Sequence, residues 1–277
     1  MNPIKLTASI VLYHSDGHLI QQLIASFNQL PLNKHLYLID HSANNQLQYL
    51  GNSEANVSYH FMQANNGYGK GHNIAIEWAI EQNSFCHLVL NPDIQFEVSG
   101  IMKLLTLMEQ APEIGLLMPQ VLYPNGQLQY LCKLLPTPFD LLGRRFLPGI
   151  LKKPFKKQME AYECRQLNYD QTMDVPNLSG CFMFIRTEAL KKVGAFDPRY
   201  FMYLEDTDLC RRIGMHYRTV YYPEVQIVHA YEKASYRFNK LLFYHIQSAF
   251  FYFNKWGWFI DKVRTQKNAA TKQLTHS

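Results

Sequence analysis

Three acidic side chains lie within four residues at the start of a predicted helix: Glu205, Asp206 and Asp208. Acids often occupy such positions because they complement the helix dipole, and an isolated cluster needs no other explanation. Here the preceding segment, residues 196–202, is rich in aromatic residues, which are typical of a cleft that binds sugars. The combination predicts a carboxylate base for a bound alcohol, with Asp206 and Glu205 as the candidates.

Another carboxylate, Asp93, follows the hydrophobic segment 87–90 in the sequence Asn91-Pro92-Asp93. Mg²⁺ or Mn²⁺ prefers oxygen ligands and takes few from protein when a diphosphate supplies the others. Taken alone, the same residue types also favour an ordinary turn. His229 ends a later predicted strand and could add a nitrogen ligand to the same cation, although most isolated histidines bind no metal.

A glycine-rich segment, residues 65–73, lies between a predicted strand and a predicted helix. Its glycines would let backbone N–H groups approach an anion closely, and a helix N-terminus adds favourable polarity. The segment is neither a P-loop nor the dinucleotide-binding fingerprint. It predicts either a nucleotide-binding loop or a plain glycine-rich turn.

Hydrophobic periodicity over the first hundred residues alternates between strand and helix patterns. We predict strands at 7–13, 35–40, 57–62 and 87–90, and helices at 18–30 and 72–81. This order indicates a mainly parallel sheet covered by helices on both faces. Ligands bind at the carboxyl ends of such strands, so Tyr13, Asp40 and residues 91–93 are expected to converge.

The second half of the chain begins with an irregular, proline-rich and basic insertion at about 124–170. Regular patterns then return, with strands predicted at 181–186, 217–222 and 225–228, and helices at 187–193 and 205–213. We expect one domain over residues 1–235 and an aromatic helical tail over 236–277.

Composition excludes several classes of protein. The 277 residues are 47% hydrophobic and 18% charged, which fits a packed globular chain and not a disordered one. A net charge of +5 is too modest to indicate nucleic-acid binding by itself. The five cysteines are scattered and predict reduced thiols, and Met1 leads directly into a strand pattern, so we expect a cytoplasmic protein.

Two segments predict contact with a membrane surface. The insertion places basic residues among apolar ones, as in Arg144, Arg145, Lys152, Lys153, Lys156 and Lys157. Such a pattern attracts anionic lipids. The tail combines Trp and Tyr with too many polar residues for a spanning helix. Core packing of the tail and nucleic-acid binding by the insertion are the alternatives.

Four segments in this order resemble the family-2 glycosyltransferases of GT-A fold, especially bacterial rhamnosyltransferases that build surface polysaccharides. They are residues 39–40, 66–73, 90–93 and 179–209. The resemblance spans most of residues 5–260. It implies an α/β, Rossmann-like GT-A fold and an inverting transfer of a sugar, with dTDP-L-rhamnose the favoured donor.

The resemblance also implies roles for individual residues. Asp40 would contact the nucleobase, the loop that contains Asn66, Gly67, Gly71 and Asn73 would lie along the ribose and diphosphate, and Asn91 would accompany this nucleotide site. Asp93 and His229 would bind the divalent cation, and Asp206 would be the base. Arg212 would support the carboxylates or the diphosphate, unless it forms a structural salt bridge.

The acceptor implied is a glycan or a saccharide linked to a lipid diphosphate, as in O-antigen assembly at the inner face of the cell membrane. Two departures from the family pattern are Asn91 in place of an acid and His41-Ser42-Ala43 after Asp40. Other readings are a UDP-sugar transferase, a sugar nucleotidyltransferase and a non-catalytic nucleotide-sugar-binding protein.

Overall fold

The computed structural model describes residues 4–52, 54–143, 155–230 and 240–274. Its strands are β1 Leu6–Leu12, β2 Lys34–Asp40, β3 Val57–Phe61, β4 Cys86–Leu90, β5 Ile94–Phe96, β6 Ile114–Leu122, β7 Cys132–Lys133, β8 Met173–Asp174, β9 Asn177–Leu178, β10 Phe182–Arg186 and β11 Arg218–His229. Its α-helices are α1 Gly17–Asn28, α2 Tyr68–Glu81, α3 Val98–Gln110, α4 Lys156–Tyr162, α5 Thr187–Val193, α6 Glu205–Ile213, α7 Lys240–Trp256 and α8 Lys262–Gln273.

The main sheet runs in the order β3-β2-β1-β4-β10-β6-β11-β5, with β8 also paired to β11. β1 is parallel to both β2 and β4, and Leu12 pairs with Asp40. The carboxyl ends of these strands therefore lie at one edge, as the alternating sequence pattern predicts. Helices flank the sheet, and the α/β fold class is confirmed.

Strand β10 enters this parallel half antiparallel to β4, with Phe182 opposite Leu90. The residues just before β10 are consequently brought next to the residues just after β4. The Asn91 N–H donates to the Cys181 carbonyl oxygen at 2.9 Å. This single antiparallel insertion joins two segments that are ninety residues apart in sequence.

The long strand β11 ends beside the same edge. It was predicted as two strands, but it is one strand with a register shift between Tyr222 and Gln226. Its last residue, His229, pairs with Ile94 of β5, and Asp93 accepts a backbone hydrogen bond from Ala230 at 3.1 Å. The irregularity is accommodated within the strand because hydrogen bonding to β6 resumes after it.

Helix packing follows the apolar stripes of the sequence. In α1 the buried residues Ile20, Leu23, Ile24 and Phe27 recur at helical spacing, and the Asp16 side chain caps the helix by accepting from the His18 N–H. Helix α2 begins at Tyr68, four residues before the predicted start. The prediction of a loop through residue 73 is therefore wrong at its C-terminal end.

The C-terminal helices pack on the sheet domain. Tyr252 and Phe253 of α7 are fully buried in a cluster with Tyr200 and Leu204. Helix α8 lies within the helical tail predicted over 236–277, although its own bounds were not predicted. The expected division between residues 235 and 236 lies outside the described residues, which resume at 240. Within the described part of the chain, no helix is both long and apolar enough to cross a membrane.

Candidate active site

The pair Asp93 and His229 forms one side of the site. Asp93 Oδ1 lies 3.4 Å from His229 Nε2. The other ring nitrogen, Nδ1, lies 3.0 Å from the side-chain oxygen of Gln129. The side-chain nitrogen of Gln129 donates to the carbonyl oxygens of His229 and Leu122, which fixes the orientation of this amide. Its side-chain oxygen can only accept, so Nδ1 carries the hydrogen of the neutral ring. The lone pair on Nε2 therefore faces Asp93.

These two groups fit a divalent cation. A histidine that ligates metal typically donates its other ring N–H to an acceptor, as His229 does to Gln129. Two ligand atoms on one cation of this kind lie about 3 Å apart, close to the separation observed here. Among the described residues there is no group of three or more His, Cys, Asp or Glu side chains around a common point. Diphosphate oxygens and water would have to complete the coordination.

Asn91 connects the Asp93–His229 pair to α2. Its side-chain nitrogen lies 3.3 Å from His229 Nε2, which agrees with an acceptor at that ring nitrogen. Its side-chain oxygen accepts from the Tyr68 hydroxyl at 3.1 Å. An acid at this position would lack the donor that Asn91 offers to His229. The residue fixes the orientation of the imidazole.

Asp206 forms the other side of the site, in the first turn of α6. Its Oδ2 accepts from the Gly180 N–H at 2.9 Å and its Oδ1 from the Thr207 N–H at 2.7 Å. A Cβ at position 180 would lie 3.1 Å from the Asp206 Cβ, so glycine permits this close approach. The two backbone donors hold the carboxylate in one orientation.

Glu205 differs sharply from its neighbour. Its side chain is 6% exposed, and its Oε2 has no hydrogen-bond partner among the described residues. Burial, with a smaller contribution from Asp206, raises the pKa of Glu205 to about 8. The two preceding residues, Tyr203 and Leu204, have left-handed φ angles of 70° and 65°. Strain of this kind accumulates at functional sites.

The Tyr68 hydroxyl lies between the two sides. It donates toward the Gly180 carbonyl oxygen at 2.7 Å and the Asn91 side-chain oxygen at 3.1 Å. Burial raises the pKa of Tyr68 well above its usual value, and nearby negative charge adds to the effect, from Cys181, Glu205, Asp206 and Asp93. The hydroxyl thus connects through Asn91 to His229 on one side and through Gly180 to Asp206 on the other.

Tyr68 was not among the predicted site residues. Its position inside the glycine-rich segment was the one feature that could have indicated it, but an aromatic residue in such a segment does not by itself predict ligand binding. Its ring also packs edge-on against His72, with centroids 4.4 Å apart. Only the three-dimensional convergence of α2, β4 and the turn before β10 identifies it.

The glycine-rich segment divides into two parts. Gly67 has φ +91°, and a Cβ there would lie 2.2 Å from the Phe201 carbonyl oxygen, so only glycine fits. Asn66, just before the helix start, is exposed. Gly71 lies in α2, where a Cβ would meet Val11 at 2.6 Å. This second part packs the helix onto the sheet and leaves the helix N-terminus as the region that can face a phosphate.

Asn73 also has a packing role in the structure. Its side chain donates to the Phe196 carbonyl oxygen at 2.8 Å and accepts from the Phe196 N–H at 2.9 Å. This pair of bonds fixes the segment that leads to α6. Asn73 therefore connects the two halves of the site without being placed against Asp93 or Asp206.

Asp40 and Tyr13 lie at the adjacent strand ends. Asp40 is fully buried and accepts from the Ser42 N–H at 2.8 Å and from the Tyr59 hydroxyl at 2.6 Å. Tyr13 is 53% exposed, with its ring against His14. The two strand ends are joined by the His14 N–H, which donates to the Ser42 hydroxyl at 3.0 Å. Tyr13 presents an open aromatic surface, and Asp40 orders the loop beside it.

Within the part of the chain that the structure describes, the hydrogen bonds of Arg212 involve neither Asp93 nor Asp206. Its guanidinium donates to Asp208 at 2.8 Å and to the carbonyl oxygens of Val193, Gly194 and Ala195. These contacts bind α6 to the C-terminal end of α5. The structure thus shows the salt-bridge alternative for this residue.

The basic insertion is described only in part. Arg144, Arg145, Lys152 and Lys153 lie outside the described residues, whereas Lys156 and Lys157 are exposed on α4. All five cysteines are buried and unbridged, as the sequence predicts.

Comparison with known proteins adds evidence of kinship. No family model matches the chain. N-acetylglucosaminyl-diphospho-decaprenol L-rhamnosyltransferase of Mycobacterium tuberculosis is 32% identical over 145 residues, which cover 51% of this chain and 46% of that protein. Rhamnosyltransferase WbbL of Escherichia coli K12 is 27% identical over 196 residues, covering 67% and 69% of the two chains. The chain spans only about half the length of the mycobacterial relative.

The solved structure of GalNAc-T7 with UDP, GalNAc and Mn²⁺ superposes with a TM-score of 0.63 at 15% identity. The match covers 86% of this chain and 45% of that one. The chain has the GT-A fold and resembles rhamnosyltransferases in sequence.

Proposed function

We propose that this protein is an inverting glycosyltransferase that uses a nucleoside-diphosphate sugar. The main support for this proposal is that Asp93 and His229 lie on one side of the Tyr68 hydroxyl and Asp206 lies on the other. A cation-binding pair and a separate, oriented carboxylate are the two requirements of direct displacement at an anomeric carbon. The similarity to rhamnosyltransferases supports the same reaction class.

Asp206 acts as the general base in this proposal. The acceptor hydroxyl forms a bond to the anomeric carbon as the bond from that carbon to the diphosphate oxygen breaks, and the hydroxyl proton passes to Asp206. Removing the proton as the bond forms contributes roughly 10²–10⁴-fold to the rate. Attack from the face opposite the leaving group inverts the anomeric centre.

Asp93 and His229 would hold Mg²⁺ or Mn²⁺, which when bound supplies positive charge next to the departing diphosphate. A bound cation would replace the Asn91 amide, now 3.3 Å from His229 Nε2, as the partner of the lone pair on that nitrogen, while Gln129 would keep the ring in orientation. The diphosphate would lie near Asn66 and the N-terminus of α2, where the Gly67 and Tyr68 N–H groups already donate to Asn65 and to the Phe201 carbonyl, so that later N–H groups of the first turn would bind its oxygens. The open ring of Tyr13 offers a surface for the nucleobase.

L-rhamnose from dTDP-L-rhamnose is the proposed donor, and a glycan or lipid-diphosphate-linked saccharide is the proposed acceptor. The support is the naming of the two relatives as rhamnosyltransferases, one of which is named for a diphospho-decaprenol acceptor. Such a reaction belongs to bacterial surface polysaccharide synthesis, with the protein at the periphery of an anionic membrane. A UDP-sugar is the alternative donor.

Product analysis tests this proposal. The protein is incubated with Mn²⁺, a lipid-linked saccharide acceptor and either dTDP-L-rhamnose or a set of UDP-sugars, and the products are identified by mass. Glycosyl transfer yields free nucleoside diphosphate and an acceptor heavier by one sugar with inverted anomeric configuration. Pyrophosphate would instead identify a nucleotidyltransferase. Binding of every donor without any product would identify a non-catalytic binding protein.

A further inference from the structure

A group of apolar side chains is exposed where α7 turns into α8. Phe259 and Ile260 are 85% and 86% exposed, and Phe250 is 49% exposed. The Phe250 ring packs edge-on against Trp258, with centroids 5.1 Å apart. We call these four residues the apolar corner. Adjacent exposed apolar side chains of this size indicate a surface that binds a partner.

The turn that carries the apolar corner is fixed by contacts with buried groups. Arg264 is 5% exposed and donates to the carbonyl oxygens of Trp258 and Phe259 at 3.3 and 3.1 Å. Gly257 has φ +100°, and a Cβ there would lie 2.6 Å from the Ile260 carbonyl oxygen. The turn is therefore ordered by a buried guanidinium and a required glycine. Exposure of Phe259 and Ile260 is a fixed feature of the fold.

The same unit is strongly basic. Residues 240–274 contain six Lys or Arg residues and one acid, Asp261. That acid is buried and forms a bidentate pair with Arg211 at 2.6 and 2.7 Å. The exposed charges of the unit are all lysines, at positions 240, 262, 267 and 272. Apolar side chains beside exposed lysines match the acyl boundary and the head groups of an anionic bilayer.

We propose that the apolar corner inserts into an anionic lipid bilayer, with the neighbouring Lys262 against the head groups. A second copy of the chain is a poorer occupant, because two such surfaces would bring like charges together. Two protruding side chains on one turn also form a wedge and not the flat, extended face that stable dimers bury.

The apolar corner is connected to the proposed acceptor side of the active site. Trp256 donates through its indole N–H to Asp208 at 2.8 Å, two residues after Asp206. Ser248 of α7 donates to the Met202 carbonyl oxygen at 2.8 Å, just before α6. On the proposed function, docking through this corner would hold the protein at the membrane that carries a lipid-linked acceptor; lipid binding itself does not rest on that function.

Co-sedimentation with vesicles tests the inference. Wild-type protein is expected to bind vesicles of phosphatidylcholine with phosphatidylglycerol, and to bind pure phosphatidylcholine far less. The double variant Phe259→Ser/Ile260→Ser should lose roughly tenfold or more of its affinity, because the inserted apolar area is removed. Met215→Ser changes a side chain that is 53% exposed elsewhere and should bind as wild type.

A second variant examines the charge. Lys262→Glu should weaken binding to phosphatidylglycerol vesicles severalfold, and added salt should reduce the difference. Titration with dTDP and Mn²⁺ should give wild-type affinity in both variants, which separates this inference from the proposed function. Wild-type vesicle binding by Phe259→Ser/Ile260→Ser would overturn the proposal. So would a concentration-dependent dimer that the same variant abolishes, because the corner would then bind protein.

Discussion

The Tyr68 hydroxyl lies 2.7 Å from the carbonyl oxygen of Gly180, and the N–H of the same Gly180 donates to Asp206 at 2.9 Å. On its other side the hydroxyl contacts Asn91, which contacts His229. One phenol thus links the residues proposed to hold the cation with the residue proposed to accept the proton. Its removal should affect both sides.

Tyr68→Phe keeps the ring contacts and deletes only the hydroxyl. We expect kcat to fall roughly 10- to 100-fold, as for residues that orient metal ligands, together with a rise in the Mn²⁺ concentration needed for half activation. Donor affinity at saturating Mn²⁺ should change little. Tyr130→Phe, at an exposed ring, is the matched control. A lower kcat with unaltered Mn²⁺ dependence would show that the hydroxyl does not act on the metal side.

Asp206→Asn preserves an oxygen that can still accept from Gly180 but removes the basic carboxylate. Transfer should fall by roughly 10²–10⁴-fold, and binding of dTDP with Mn²⁺ should remain close to wild type. Single-turnover transfer and calorimetric titration measure the two effects. The exposed Asp170→Asn variant is the control. Full activity in Asp206→Asn would remove this residue from the mechanism.

Asp93→Asn weakens the charge at the proposed cation pair without changing its shape. We expect a 10- to 100-fold weaker response to Mn²⁺, on the order reported for disturbed metal sites. The measurement is initial rate against Mn²⁺ concentration at fixed donor, with the exposed Glu97→Gln as control. An unchanged Mn²⁺ requirement would leave Asp93 as a turn residue only.

Glu205 should make the protein less stable as pH rises. Its folded-state pKa is raised to about 8 from the ordinary 4.5, so between these values the folded chain binds more protons than the unfolded chain. The free energy of unfolding should then fall by about 1.4 kcal/mol per pH unit from this group. Urea denaturation at pH 5, 6, 7 and 8 measures the slope.

Glu205→Gln is the matching variant, because it resembles the protonated acid and cannot titrate. Its stability should depend less on pH than that of wild type over the same range, whatever its absolute stability. Parallel slopes for the two proteins would mean that Glu205 is ionised in the folded state at neutral pH.

Much of the first half of the fold could be predicted because its strands are fully buried and its helices carry regular apolar stripes. The start of α2 could not, because glycines are poor helix formers and only tertiary packing against Val11 and Phe201 favours them there. Helix α8 falls inside the predicted helical tail, but its bounds could not be predicted because it has no regular apolar stripe. Its polar sequence becomes helical through the Asp261 cap and through Asn268, which bonds to the Leu135 backbone at both side-chain atoms.

The candidate site was predictable as a set of residues but not as an arrangement. Strand ends indicated Asp93, and the acidic helix start indicated Asp206. The contact between Asp93 and His229 depends on the pairing of β5 with β11, and the central position of Tyr68 depends on β10 lying antiparallel to β4. These are long-range pairings that local periodicity does not encode.

The helix that carries Asp206 is secured by side chains made much later in synthesis. Asp208 accepts a hydrogen bond from Trp256 and forms an ion pair with Lys255, and Arg211 forms an ion pair with Asp261. The position of the helix that carries Asp206 therefore depends on residues 255–261, which lie about fifty positions further along the chain.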